Sequence, residues 1–242
     1  AAALVLSCTL APAAALAQKS GGILRTYNSS NPPSASIIEE ATIATAFAFA
    51  PIFNNLVIFD QREPINKPDA IRPELAESWS WDATNTKLTM KLRQNAKWHD
   101  GKPFTSQDVK CTWDRILGKD KDTFRKNPRK LWWAAIKEIV SNGDHEVTFE
   151  LSRPQAAFLS LLASNLSPVY PCHVPTAAMR TKPIGTGPFK FVAFEANNVI
   201  RMEKNPDYWR PGRPYLDGVE IRIIGNRSTR ILAFQAGEFD MT

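Results

Sequence analysis

The chain has 242 residues, 43% hydrophobic, 10% aromatic and 22% charged, with a formal net charge of +6. That is ample material for a buried core in one or two domains, and the absence of any internal repeat, heptad or low-complexity tract excludes a solenoid, a coiled coil and a disordered chain. The basic balance is mostly dispersed instead of massed into one face, which gives no electrostatic footprint for nucleic acid.

Residues 1–17 carry no charge and are mostly Ala, Leu and Val, closing on Ala15-Leu16-Ala17 before Gln18-Lys19-Ser20. The run is shorter than the roughly 20 apolar residues of a membrane span and ends in the small-x-small pattern of a signal-peptidase site. It is read as a signal peptide lacking its initiator Met and basic n-region, so the sequence reads as cut at its start. Cys8 follows Val5-Leu6-Ser7, a poor lipobox, and is itself followed by more apolar sequence, which favours soluble export over lipidation. Cys111 and Cys172 remain, and an oxidising compartment permits their pairing without the sequence deciding it.

Gly22 to Asn28 alternates and predicts a strand ending at the polar run from Asn28 to Pro33. The Ala-rich stretch from Ile37 to Leu56 predicts a buried helix, and Leu56 to Phe59 a short strand. Ala76–Trp81 and Lys87–Arg93 alternate at period two around a polar connector, the signature of a hairpin. Thr105-Ser106-Gln107-Asp108 is a capping box with Asp in place of Glu and predicts a helix to Leu117. The charged stretch from Lys119 to Lys130 is expected to be a solvated loop. A second hairpin turns at Asn142-Gly143-Asp144, between Ile136–Ser141 and Glu146–Leu151, because Asn and Gly tolerate positive φ. A helix is expected over Gln155–Ala163, a third hairpin over Phe189–Phe194 and Val199–Lys204, and a strand through Val219, Ile221 and Ile223. Ser228–Ala236 should be helical and closed by Gly237. The last residues, Gly237 to Thr242, keep alternating, so a truncation is expected there as well.

Catalytic chemistry is hard to place. His99, His145 and His173 are isolated, without the spacing of a zinc site. Gly185-Thr186-Gly187-Pro188-Phe189-Lys190 lacks both phosphate-loop fingerprints and reads as a tight loop entering a strand. No Gly-x-Ser-x-Gly elbow is present. Trp132-Trp133 beside Arg129-Lys130 is a packing feature before it is a base-stacking one. No catalytic residue, metal ligand or cofactor is therefore assigned, and a secreted hydrolase is kept only as the reading from a different class.

Four blocks carry a family resemblance. They are Leu75–Trp79 with Leu88–Arg93 and Lys97–Val109; Pro183–Phe191; Asn205–Trp209 running into Arg213–Asp217; and Arg230–Asp240. In this order they resemble solute-binding protein family 5, the dipeptide-, oligopeptide- and nickel-binding proteins of ABC importers, and the likeness runs through residues 20–242. It implies an α/β fold of the periplasmic-binding-protein type II kind, with mixed sheets and an inserted extra lobe. Residues 18–59 and 166–242 would form the first ligand-binding lobe and residues 60–165 the insertion. The opposing ligand-binding lobe would lie beyond residue 242.

The resemblance also implies a periplasmic monomer. It would capture di- or oligopeptides between lobes that close by a hinge and hand them to a membrane permease and its ATPases, with no nucleic acid involved. A nickel complex, glutathione, an opine, haem or an oligosaccharide is the alternative cargo. The positions matching the family's cleft are Tyr27, Asn28 and Ser29 at the end of the first strand, and Gly185, Thr186 and Gly187 in the tight loop. Tyr27 would pack on the ligand, and Asn28, Ser29 and Thr186 would hydrogen-bond it. The His in Trp98-His99-Asp100-Gly101 is expected to be structural.

Overall fold

A computed structural model describes residues 19–241; the signal-peptide reading and Cys8 lie outside them. The strands are β1 (Ile23–Asn28), β2 (Val57–Phe59), β3 (Ile71–Pro73), β4 (Ala76–Trp81), β5 (Lys87–Leu92), β6 (Ile136–Ser141), β7 (Glu146–Leu151), β8 (Phe189–Glu195), β9 (Val199–Lys204) and β10 (Gly218–Ile223). The helices are α1 (Ile43–Phe49), α2 (Ser106–Leu117), α3 (Phe158–Ala163) and α4 (Arg227–Gln235).

All three predicted hairpins form, and they build two four-stranded sheets. β4-β5-β7-β6 is antiparallel throughout. In the other sheet, ordered β1-β10-β9-β8, the strand nearest the N-terminus pairs parallel with β10 and, among the described residues, has no named strand on its other side. A separate two-stranded ladder joins β2 to β3. Leu88, Met90 and Leu92 face inward from β5, as their spacing predicts, and meet Val147, Phe149 and Leu151 of β7 in the core.

Helix α2 covers this sheet and is fixed at both ends. Asp108 accepts the Thr105 N–H at 3.0 Å and the Trp98 indole N–H at 3.1 Å, and Gly118 closes the helix at φ 76°. Its Trp113 stacks edge-on against Trp133 and Phe149, with ring centroids 5.4 and 5.3 Å away. Cys111 of α2 is bonded to Cys172, across a Cα–Cα distance of 5.7 Å within the ordinary disulfide range.

Two expectations are corrected. The helix predicted over Ile37–Leu56 is helical only at Ile43–Phe49, with a 3-10 turn at Ala50–Ile52 and irregular chain on either side. Pro51 cannot donate to a continuing helix. Upstream, Arg129 donates to the carbonyls of Ile37, Ile38 and Glu40, taking acceptors that a helix would use.

Residues 119–130 are mostly exposed, as a solvated loop would be, but the same arginine and its neighbours anchor the stretch. Arg129 and Phe124 are buried, and the Arg125 N–H and guanidinium reach the buried Glu39 and Glu40 carboxylates at 2.6 and 3.0 Å. Asp122 takes Arg115 at 2.9 Å and the Thr176 hydroxyl at 2.8 Å. These charges tie the stretch to the rest of the protein. Helix α3 also begins at Phe158, later than the predicted Gln155. None of the helices described is long and apolar enough to cross a membrane.

Candidate functional site

The side of β1 away from β10 borders a cavity of about 330 Å³, lined by Thr26, Tyr27, Asn28 and Ser29 from the strand and by side chains of α1, α4 and Met241. The backbone on this side has a fixed phase. Gly22 accepts from Asp217 and Asn28 from Ile224, so the even-numbered residues of the strand face β10. Arg25 faces the other way: its N–H donates to the Asp240 carboxylate at 2.6 Å and its carbonyl accepts the Asp240 N–H at 2.9 Å. By the two-residue repeat of a strand, the Tyr27 N–H and carbonyl also point outward, one step beyond Asp240 and beside the cavity.

The walls follow from local sequence. Thr42 caps α1, its hydroxyl accepting the Thr45 N–H at 3.4 Å. The helix buries Ala44, Thr45, Ala46, Ala48 and Phe49, which leaves Ile43 and Phe47 on the opposite face. Residues four apart on a helix are neighbours, and these two line the cavity. They are 83% and 47% exposed, an apolar shelf beside the end of β1.

On the other wall Tyr27 is held between two groups. Its ring lies 5.8 Å from that of Phe239, and the Arg230 guanidinium carbon sits 4.9 Å from its centroid. Helix α4, which presents Arg230, is capped by the Asn226 side chain accepting the Thr229 N–H at 3.0 Å.

The six residues singled out from the sequence fall in two places. Tyr27, Asn28 and Ser29 line the cavity. The Asn28 amide is buried and donates to the Ala44 carbonyl at 2.8 Å, so it ties α1 to the strand.

Gly185, Thr186 and Gly187 do not line this cavity. They form a packed junction against the chain at Pro51–Asn54. Thr186 is 1% exposed, with its hydroxyl on the Asn54 side chain at 3.1 Å. The Gly187 N–H donates to the Ile52 carbonyl at 2.9 Å. His99 brackets the loop: its N–H donates to the Gly185 carbonyl, and its ring nitrogens meet the Gly185 N–H and the Gly187 carbonyl. Burial holds the His99 pKa down at about 4, the imidazole form that such a bracket needs. The structural reading of His99 therefore stands.

Sequence reasoning missed Ile43, Phe47, Arg230 and Met241. Ile43 and Phe47 were absorbed into a longer buried helix. Arg230 was read only as the start of a family block, although an arginine beside the apolar run Ile231-Leu232-Ala233-Phe234 was a visible signal.

The family model for bacterial extracellular solute-binding proteins, family 5, matches residues 70–242. The oligopeptide-binding protein AppA of Bacillus subtilis is 33% identical over 180 residues, covering 70% of this chain and 32% of that protein. Among solved structures, AgaA of A. tumefaciens R10 in complex with agropinic acid superposes with a TM-score of 0.78 at 30% identity, over 91% of this chain and 43% of that one. The DppA protein of Helicobacter pylori in complex with the peptide STSA gives 0.80 at 27% identity, over 93% and 47%. The chain thus spans about a third of that curated relative and under half of those solved proteins, whose mixed α/β architecture it shares.

Proposed function

Since the chain belongs to the bacterial extracellular solute-binding proteins of family 5, we propose that it serves an ABC importer as its extracytoplasmic substrate-binding component, capturing di- or oligopeptides and delivering them to a membrane permease and its ATPases. The observation that carries the peptide cargo is the cavity beside Tyr27, with its apolar shelf of Ile43 and Phe47. An extended peptide laid in this cavity would exchange main-chain hydrogen bonds with Tyr27, and main-chain pairing is indifferent to side-chain identity. The shelf of Ile43 and Phe47 would cover apolar side chains of the bound peptide.

In this reading residues 18–59 and 166–242 contribute the first ligand-binding lobe, residues 60–165 form an inserted lobe, and the cavity beside Tyr27 is one wall of the cleft. Tyr27 and Ser29 contact the ligand, Asn28 supports the wall, and Gly185, Thr186 and Gly187 hold the lobe together behind it. The protein works in the periplasm as a monomer, binds without turnover and has no nucleic-acid partner.

A second cargo is favoured by one observation, the 30% identity to AgaA, whose solved complex holds agropinic acid. An opine-like acid would use the same cavity with fewer main-chain bonds.

Mass spectrometry of the solutes released by denaturing the intact protein separates the two. A ladder of short peptides supports peptide capture. A single non-peptide acid moves the protein to the second cargo, and the absence of any bound or bindable solute overturns the binding role itself.

A further inference from the structure

We infer that Arg230 is a specificity-determining residue of this cleft, selecting solutes that carry a carboxylate at the position above Tyr27. The inference rests on the solute-binding reading and adds the chemical class of the solute. Arg230 is the only charged side chain among the described residues lining the cavity. Its guanidinium carbon lies 4.9 Å from the centroid of the Tyr27 ring, a cation–π contact that holds the charge at the cavity wall.

Neighbouring acids do not engage this guanidinium. Glu238 is held by Arg222 at 2.5 Å, and Asp240 accepts the Arg25 N–H at 2.6 Å. Among the described residues no carboxylate pairs with Arg230. Its Nε is buried with no acceptor. The partner that matches the fork of terminal nitrogens is a planar carboxylate, which accepts two N–H groups in parallel.

The location agrees with the chemistry. The Tyr27 ring and the guanidinium line the same cavity, so packing on the ring and carboxylate recognition act on one molecule. Agropinic acid and a peptide both offer such a group. The inference therefore does not depend on which cargo the protein carries.

The test is calorimetric titration of the intact protein with two matched probe pairs: Ala-Ala-Ala against its C-terminal amide, and Ala-Glu-Ala amide against Ala-Gln-Ala amide. The wild type should prefer the acid in one pair by about ten- to a hundredfold, the range of a charge-assisted bidentate contact. Arg230→Gln should lose that preference while binding the neutral member as the wild type does. Arg230→Lys, which keeps the charge and loses the fork, should retain part of it.

No acid preference in the wild type overturns the inference. So does an Arg230→Gln protein that keeps the preference, or one that weakens acid and neutral probes equally, since that is the mark of a packing role. If none of the four probes binds the wild type, peptide capture is what fails. The same comparison is then made on the solute that co-purifies: loss of that solute in Arg230→Gln supports the inference, and its retention overturns it.

Discussion

His99 and Gly187, 88 positions apart in sequence, are joined by a hydrogen bond of 3.0 Å between the imidazole Nε2 and the Gly187 carbonyl. The other ring nitrogen, Nδ1, accepts the Gly185 N–H at 3.3 Å. Only the neutral ring protonated at Nε2 makes both bonds. A second proton at Nδ1 would remove the acceptor that Gly185 needs.

This relationship predicts a pH dependence. Burial lowers the His99 pKa from 6.5 to about 4, with Lys190 adding in the same direction and the bond to Gly187 opposing. A base depressed in the folded state is protonated first in the unfolded chain. Its stabilising contribution is complete above about pH 6.5 and is lost as the pH falls through about 4. Chemical denaturation between pH 7 and pH 4 should show stability falling across that window. A His99→Gln variant should be less stable at pH 7 and lose less over the same range; an identical pH slope in the variant would show that His99 is not the titrating group.

Gly187 should tolerate no side chain. A Cβ placed there would lie 2.5 Å from the Ile52 carbonyl carbon and 2.5 Å from the Pro51 oxygen, both backbone atoms that cannot swing aside. Gly187→Ala should cost about 1–3 kcal/mol or more and lower the melting temperature, as overpacking does. An unchanged melt would mean that the junction between this loop and the turn at residues 50–52 is loose.

The bond between Cys111 and Cys172 closes a loop with a sequence separation of 61, linking α2 to the segment that leads back toward β8. Reduction, or replacement of both cysteines by serine, should destabilise the protein by about 2–4 kcal/mol. Denaturant titration with and without reductant measures this. Superimposable curves, with mass spectrometry confirming the oxidised state at the start, would show that the crosslink adds nothing.

Asn28 and Tyr27 are adjacent and should fail differently. Asn28→Ala removes a buried bond to the Ala44 carbonyl and should cost about 1–2 kcal/mol of stability. Tyr27→Ala removes the aromatic wall of the cavity and should weaken solute binding about fivefold or more, the scale of an aromatic anchor in an interface. Melting curves and titrations on both variants resolve the two. The assignment is reversed if Asn28→Ala loses affinity at unchanged stability.

Much of the fold was legible because it is local. The period-two runs flanking Asn142-Gly143 and residues 82–86 carry their own register, and Thr105 with Asp108 carries its own helix start. The helix expected over Ile37–Leu56 failed for a non-local reason. Its carbonyls are claimed by Arg129, some 90 positions away, and that contact has no trace in the apolar periodicity. The reading of residues 119–130 as a solvated loop left the same contact out: most of the stretch is exposed, but Arg129 is buried.

By itself the sequence determined the hairpins, the capped helix α2 and the family blocks. Those are properties of side-chain period, turn chemistry and motif, all readable within a dozen residues. Tertiary structure decided the rest: that β1 pairs with β10, that Gly185, Thr186 and Gly187 are packed against residues 51–54 and not in the cavity, and that Arg230 lies over Tyr27. Strand pairing depends on which strand the chain brings beside β1 after nearly 200 residues. Burial depends on what packs opposite, and no window of sequence contains both partners of a contact made across the fold.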